Sequence, residues 1–215
     1  TYLWRVEASN GQVISEGHDA TFEFTPFDNG VYKVRLFVTD VARGLTAQPG
    51  VVIVTALNVA PVIEAGDDQI VNEGDLLTVN MPFSDAGTND THSAVIDWGD
   101  DTFSMFEALT EALGAGTLSA NHVYADNGDY VVSVTLTDDD GGTATDSFKV
   151  SVNNVAPTVN AGADQTVLEG QNVRLNRDFI INIFGGRFVN VVEGAGFNDK
   201  GTLDTHTATI DWGDD

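Results

Sequence analysis

Apolar and polar positions alternate with a period of two along most of this chain, the pattern of strands that bury one face. Residues 130–137 (Tyr-Val-Val-Ser-Val-Thr-Leu-Thr) alternate in this way and are rich in β-branched side chains. They run into Asp138-Asp139-Asp140-Gly141-Gly142, and the alternation resumes over residues 143–152. That arrangement predicts a β-hairpin with an acidic, glycine-bearing turn. Residues 32–39 and 50–55 repeat the same pairing nearer the start, and residues 94–98 predict a further strand closed by Gly99-Asp100-Asp101. Residues 106–113 have helical character, but the segment is too short to set the class. Many short strands separated by turn signals predict an all-β sandwich.

The pattern also recurs at long range. Asn58-Val59-Ala60-Pro61 returns as Asn154-Val155-Ala156-Pro157, a shift of 96 positions. Ala65-Gly66-Asp67-Asp68-Gln69 returns as Ala161-Gly162-Ala163-Asp164-Gln165, and Glu73-Gly74 as Glu169-Gly170. Asp90-Thr91-His92 returns as Asp204-Thr205-His206, and residues 96–101 (Ile-Asp-Trp-Gly-Asp-Asp) as residues 210–215, now shifted by 114. A period of this size means one folded unit per repeat. The expected domains are the C-terminal half of a module at 1–57, a complete module at 58–153 and the N-terminal half of another at 154–215. The growth of the offset from 96 to 114 places an insertion near 177–196 in the last. Its sequence reads as an apolar hairpin about Gly185-Gly186.

These motifs resemble the PKD (polycystic-kidney-disease) domain. The resemblance is carried by Ile96-Asp97-Trp98-Gly99-Asp100-Asp101, by Asn121-His122-Val123-Tyr124, and by the run from Asn127-Gly128-Asp129-Tyr130 to Asp138-Asp139-Asp140-Gly141-Gly142. The Asn-Val-Ala-Pro linker and the Ala-Gly-x-Asp-Gln opening fit the same family. The resemblance covers nearly the whole chain and implies tandem seven-strand Ig-like sandwiches of a large extracellular protein, used for spacing, adhesion or display. Residues 1–57 depart from it: Trp4-Arg5-Val6-Glu7 stands where the acidic turn motif belongs, and Val41-Ala42 replaces two of the three consecutive aspartates.

Charge narrows the partners. Thirty-three acidic against nine basic residues give a net charge of −24 over 215 residues. Such a surface repels nucleic acid and anionic membranes. No apolar run approaches the roughly 20 residues of a membrane span, so no membrane insertion is expected. The chain has no cysteine, which excludes disulfide frameworks and Cys-ligated zinc. Neither charge nor cysteine count fixes the compartment; the resemblance implies an extracellular or cell-surface location.

The acidity also suggests a hard cation. In an Ig-like sandwich the B–C and F–G loops share one pole with the incoming linker. Here those segments supply Asn58, Asp85, Asn89, Asp90, Asp138, Asp139 and Asp140, with Asp199 and Asp204 as equivalents in the last module. Calcium takes about six to eight oxygen ligands from flexible loops, and these residues offer such a set at a module junction. The spacing is not that of an EF-hand, because Gly142 and Lys149 stand where acceptors are needed. Asp and Asn are also ordinary turn formers. The Asp97–Asp101 turn is a weaker metal candidate.

Other chemistry is sparse. Trp4, Trp98 and Trp212 all fall at inward positions of strands, which argues against an aromatic sugar-binding platform. Tyr130 resembles a tyrosine-corner residue. His92 and His206 sit as equivalents in the B–C loop, and His122 precedes the strand bearing Tyr124; none has zinc-ligand spacing. With no Gly-x-Ser-x-Gly elbow and no phosphate-binding loop, no enzyme activity is expected. The expected function is a structural or adhesive repeat segment of a surface protein, stalk or filament, stiffened by calcium. The alternative is an accessory polysaccharide- or protein-binding module of a secreted hydrolase. Partners are neighbouring modules of the same or identical chains, including head-to-tail assembly, or a polysaccharide or matrix protein. The absence of an initiator Met is read as a processed or trimmed end at Thr1, and the half-modules are expected either from a window on a longer polypeptide or from completion by another copy of the chain, head to tail.

Overall fold

A computed structural model describes residues 1–162, 164, 166, 168–169 and 196–209. The period-two segments are strands throughout. β1 (Tyr2–Ala8) runs antiparallel to β2 (Gly30–Asp40), with Trp4 opposite Leu36 and Val6 opposite Val34. β3 (Leu45–Thr46) and β4 (Gly50–Ala56) both pair with β2, giving one four-stranded sheet. Trp4 and Val6 are half-buried, as their alternation predicts, and Trp4 stacks on Phe22.

Residues 58–153 form two facing sheets. The chain contributes β5 (Val62–Ile63), β6 (Gln69–Asn72), β7 (Leu77–Ser84), β8 (His92–Asp97) and β9 (Phe103–Phe106). It continues through β10 (Glu111–Ala112), β11 (Ala115–His122), β12 (Gly128–Asp138) and β13 (Thr143–Asn153). One sheet has the order β10-β11-β7-β5, the other β6-β13-β12-β8-β9. The first strand of the sandwich is thus divided, with β5 in one sheet and β6 parallel to β13 in the other. At the crossing, Ala65 is buried and its N–H donates to Asp146 Oδ2 at 2.8 Å.

The core follows directly from the alternation. Along β7, Leu77, Val79, Met81 and Phe83 face inward, and along β12, Val132, Val134 and Leu136 do the same. Trp98 is 1% exposed and lies in this core with Tyr124, Phe148 and Val150. Tyr130 is half-buried, and its hydroxyl donates to Asp126 O at 3.0 Å, the contact of a tyrosine corner. Tyr32 makes the same contact to Asp28 O at 2.9 Å.

Two local readings need correction. Residues 106–113 are not helical: Phe106 ends β9, and β10 turns into β11 through Leu113 and Gly114. Both turn residues have positive φ, 53° and 72°, as a two-residue hairpin turn of type I′ demands, and that geometry cannot continue a helix. His92 is not in a loop but opens β8. Further on, β14 (Thr158–Asn160) pairs antiparallel with β15 (Gly196–Asn198). The apolar hairpin and the strand bearing Trp212 lie outside the described residues. No helix among the described residues is long and apolar enough to cross a membrane.

Candidate metal centre

Two loops of the 58–153 sandwich converge on the linker at Asn58. Where β7 ends, Asp85 Oδ1 accepts the N–H of Gly87 at 2.8 Å, and the N–H of Asp90 donates to Gly87 O at 3.2 Å. This tight turn folds the Asp90 carboxylate back over Gly87, where a Cβ would collide with it. The turn between β12 and β13 is built on Asp138. Its Oδ1 accepts the N–H groups of Asp140 and Gly142 at 3.0 and 2.7 Å, and its Oδ2 accepts the Asn58 amide at 2.9 Å. The short polar side chains that make these turns therefore also bring their carboxylates together.

Asp85, Asp90 and Asp138 each place an oxygen within 4.8 Å of the others. Asp28, from the segment before β2, forms a second such triad with Asp90 and Asp140. Asp90 belongs to both and is 5% exposed, yet its Oδ1 has no hydrogen-bond partner. Its pKa is pushed up to about 6, first by burial and then by the negative charges of Asp85, Asp28, Asp139 and Asp140. The pocket thus disfavours the ionised form that a cation would need and would itself stabilise.

The remaining expected residues divide. Asn89 meets the cluster as a donor, its N–H donating to Phe27 O at 3.2 Å and its side-chain amide donating to Asp28 Oδ2 at 3.4 Å. Asp139 is exposed and ties the loops together by accepting the Thr91 N–H at 2.9 Å. Asp199 and Asp204 come together with His206, again within 4.8 Å. In the Asp97–Asp101 turn, Asp97 Oδ1 accepts the Gly99 N–H at 2.9 Å, while Asp100 holds Thr102 and lies 2.7 Å from His122 Nε2. Those carboxylates shape a turn and support the His122 ring that stacks on Trp98 at 4.6 Å.

His92 matters more than its spacing suggested. It is 2% exposed, with Nε2 3.1 Å from Asp85 Oδ2 and Nδ1 2.6 Å from Glu111 Oε2. Burial pulls its pKa down, but the two carboxylate contacts outweigh this and raise it. A ring held at both nitrogens orients Asp85. Asp28 was also missed, although a signal existed: Asp28-Asn29-Gly30-Val31-Tyr32 matches Asp126-Asn127-Gly128-Asp129-Tyr130 at one offset. Glu111 gave no such signal, since its role depends on the β10–β11 hairpin.

Residues 58–152 match the family model of the PKD domain. Among solved structures, the PKD domain of an M14-like peptidase from Thermoplasmatales archaeon SCGC AB-540-F20 is similar at 20% identity. It covers 45% of this chain and 98% of its own, with a TM-score of 0.34. The PKD1 domain of Vibrio anguillarum Epp is similar at 26% identity, covering 45% and 96%, with a TM-score of 0.31. No curated protein matches the chain. Over residues 58–152, somewhat less than half of its length, the chain is thus similar to the PKD domain, a family of generally non-catalytic extracellular modules.

Proposed function

We propose that this chain is a non-catalytic structural segment of a secreted surface protein, and that calcium bound by Asp28, Asp85, Asp90, Asp138 and Asp140 stiffens the joint before the PKD domain. The observation that carries the reading is Asp90, a buried carboxylate with an unpartnered oxygen, within 4.8 Å of carboxylates on both sides of that joint. The donors are oxygens on turns, which suits calcium better than zinc. Asp28 comes from the other side of the Asn58 linker, so an ion here is held by two modules at once. Display or adhesion by a stalk or filament follows from such stiffening. The accessory sugar-binding reading is less favoured, because Trp98 is 1% exposed and offers no platform.

A thermal melt tests the proposal. A ligand that binds the folded chain stabilises it by about 2.7 kcal/mol at 100 times its Kd. Millimolar calcium should raise the melting temperature of the wild type and a chelator should lower it, while Asp90→Asn should reduce that response. A wild-type melt indifferent to calcium would refute the assignment.

A further inference from the structure

Glu73, in the turn after β6, is 0% exposed. Its Oε1 accepts the N–H of Val155 at 2.6 Å, and its own N–H donates to Asn153 O at 3.0 Å. Its Oε2 has no hydrogen-bond partner. A buried carboxylate that is half satisfied costs stability unless something else meets it. What surrounds it is more negative charge. Asp126, from the loop before β12, and Asp204, beyond β15, bring oxygens within 4.8 Å of Glu73 and of each other. Lys200 does not serve them, since its ammonium pairs with Asp75 Oδ1 at 2.5 Å.

The linker supplies a fourth group. One end of the Asn154 side-chain amide lies 3.0 Å from Glu73 Oε1 and 3.2 Å from Asp204 Oδ2. With its NH₂ turned inward it donates to both; with its carbonyl turned inward it becomes another oxygen ligand. Gly201 is shaped to this centre, because a Cβ there would stand 2.7 Å from Asp204 Oδ2 and 2.8 Å from Glu73 Cδ. Asp199 Oδ2 is bonded by His206 Nε2, as Asp85 Oδ2 is by His92.

We infer that Glu73, Asp126, Asp204 and the Asn154 side chain form a second divalent-cation site, of the calcium class, that ties the PKD domain to the segment after it. Three carboxylates and an amide oxygen are hard donors, and their convergence is costly until a multivalent cation neutralises it. The site extends the calcium reading to a second joint but stands on Glu73 rather than on Asp90. Asp126, Asn154 and Asp204 correspond to Asp28, Asn58 and Asp90 of the first cluster in sequence, and Glu73 joins them here. The ion would be shared by both sides of the 154–157 linker.

Calcium titration of the full chain by calorimetry tests this, with far-UV circular dichroism to verify folding. The wild type should bind two equivalents. Glu73→Gln should weaken one of them at least tenfold and leave the equivalent that Asp90→Asn removes. Asp126→Asn, at a half-exposed position, should do the same and carries the test if Glu73→Gln does not fold. Loss of one equivalent in Glu73→Gln but none in Asp90→Asn would support this site and defeat the first-joint assignment. Calcium binding unchanged in both folded variants, Glu73→Gln and Asp126→Asn, would overturn the second site and leave the first standing on its own variant. A wild-type chain that binds no calcium overturns both.

Discussion

Trp98 fills the middle of the sandwich, with its indole N–H donating to Ser104 Oγ at 2.9 Å and its backbone carbonyl accepting the Tyr124 hydroxyl at 2.9 Å. Replacing it by Ala should cost about 3–5 kcal/mol, read from urea denaturation, because the void cannot collapse onto two paired sheets. A loss under about 1 kcal/mol would mean that the core does not depend on this ring. Asp146 offers a pH-dependent case. Its pKa is lowered by the N–H of Ala65 and then that of Ser147, both donating to its carboxylate. A depressed carboxylate stabilises the fold above its unfolded pKa, near 3.8, and that stability disappears as pH falls through the lower folded value. Asp146→Ala should therefore lose roughly 1 kcal/mol at neutral pH, its exposure keeping the figure small. The gap from wild type should close in acid below the unfolded pKa; a gap independent of pH would assign the loss to packing instead. Residues of this kind are unequally legible in sequence. Trp98 declared its burial through period-two alternation, and Asp90 its loop through turn chemistry. Glu73 entered only as part of a repeated Glu-Gly pair, because the groups that meet it come from residues 126, 154 and 204.

At the level of elements, alternation located β2, β4, β8, β12 and β13, although β7, whose faces alternate as cleanly as those of β12, was not among the strands it singled out. It was blind to β10, two residues long, whose identity comes from a turn and not from a face. That turn carries a testable strain. Leu113 has φ 53° and is 82% exposed, so it holds a left-handed conformation without a packing reward. Leu113→Asn creates the Asn-Gly pair that type I′ turns favour and should stabilise the protein by about 1 kcal/mol. A melting temperature that falls would show that the leucine makes a contact worth more than the strain. The same hairpin brings Glu111 to His92, and so supports Asp85 from a distance of 26 positions. No spacing rule reads such a contact, since it requires β10, β7 and β8 to be assembled first.

Across the whole molecule, charge and joints are one problem. A chain of net charge −24 places several of its carboxylates where its segments meet: Asp28, Asp85, Asp90, Asp138 and Asp140 at one joint, Glu73, Asp126 and Asp204 at the other. Polar contacts also span these places, among them Asn89 N–H to Phe27 O at 3.2 Å, Thr202 N–H to Ala125 O at 2.9 Å and the Lys200–Asp75 ion pair. Screening at physiological salt acts over about 8 Å, longer than the spacing within each cluster, so monovalent ions relieve the repulsion poorly. A bound divalent ion acts inside the cluster itself. Small-angle scattering of the full chain should therefore show a narrower distribution of distances in millimolar calcium than with chelator, and added sodium chloride at the same ionic strength should not reproduce the change. Limited proteolysis should follow, with cleavage near 154–157 slowed by calcium in the wild type but not in Glu73→Gln. If the scattering profiles with calcium and with chelator superimpose, the joints are set by the protein contacts alone, and the carboxylates are no more than an acidic surface gathered at the turns.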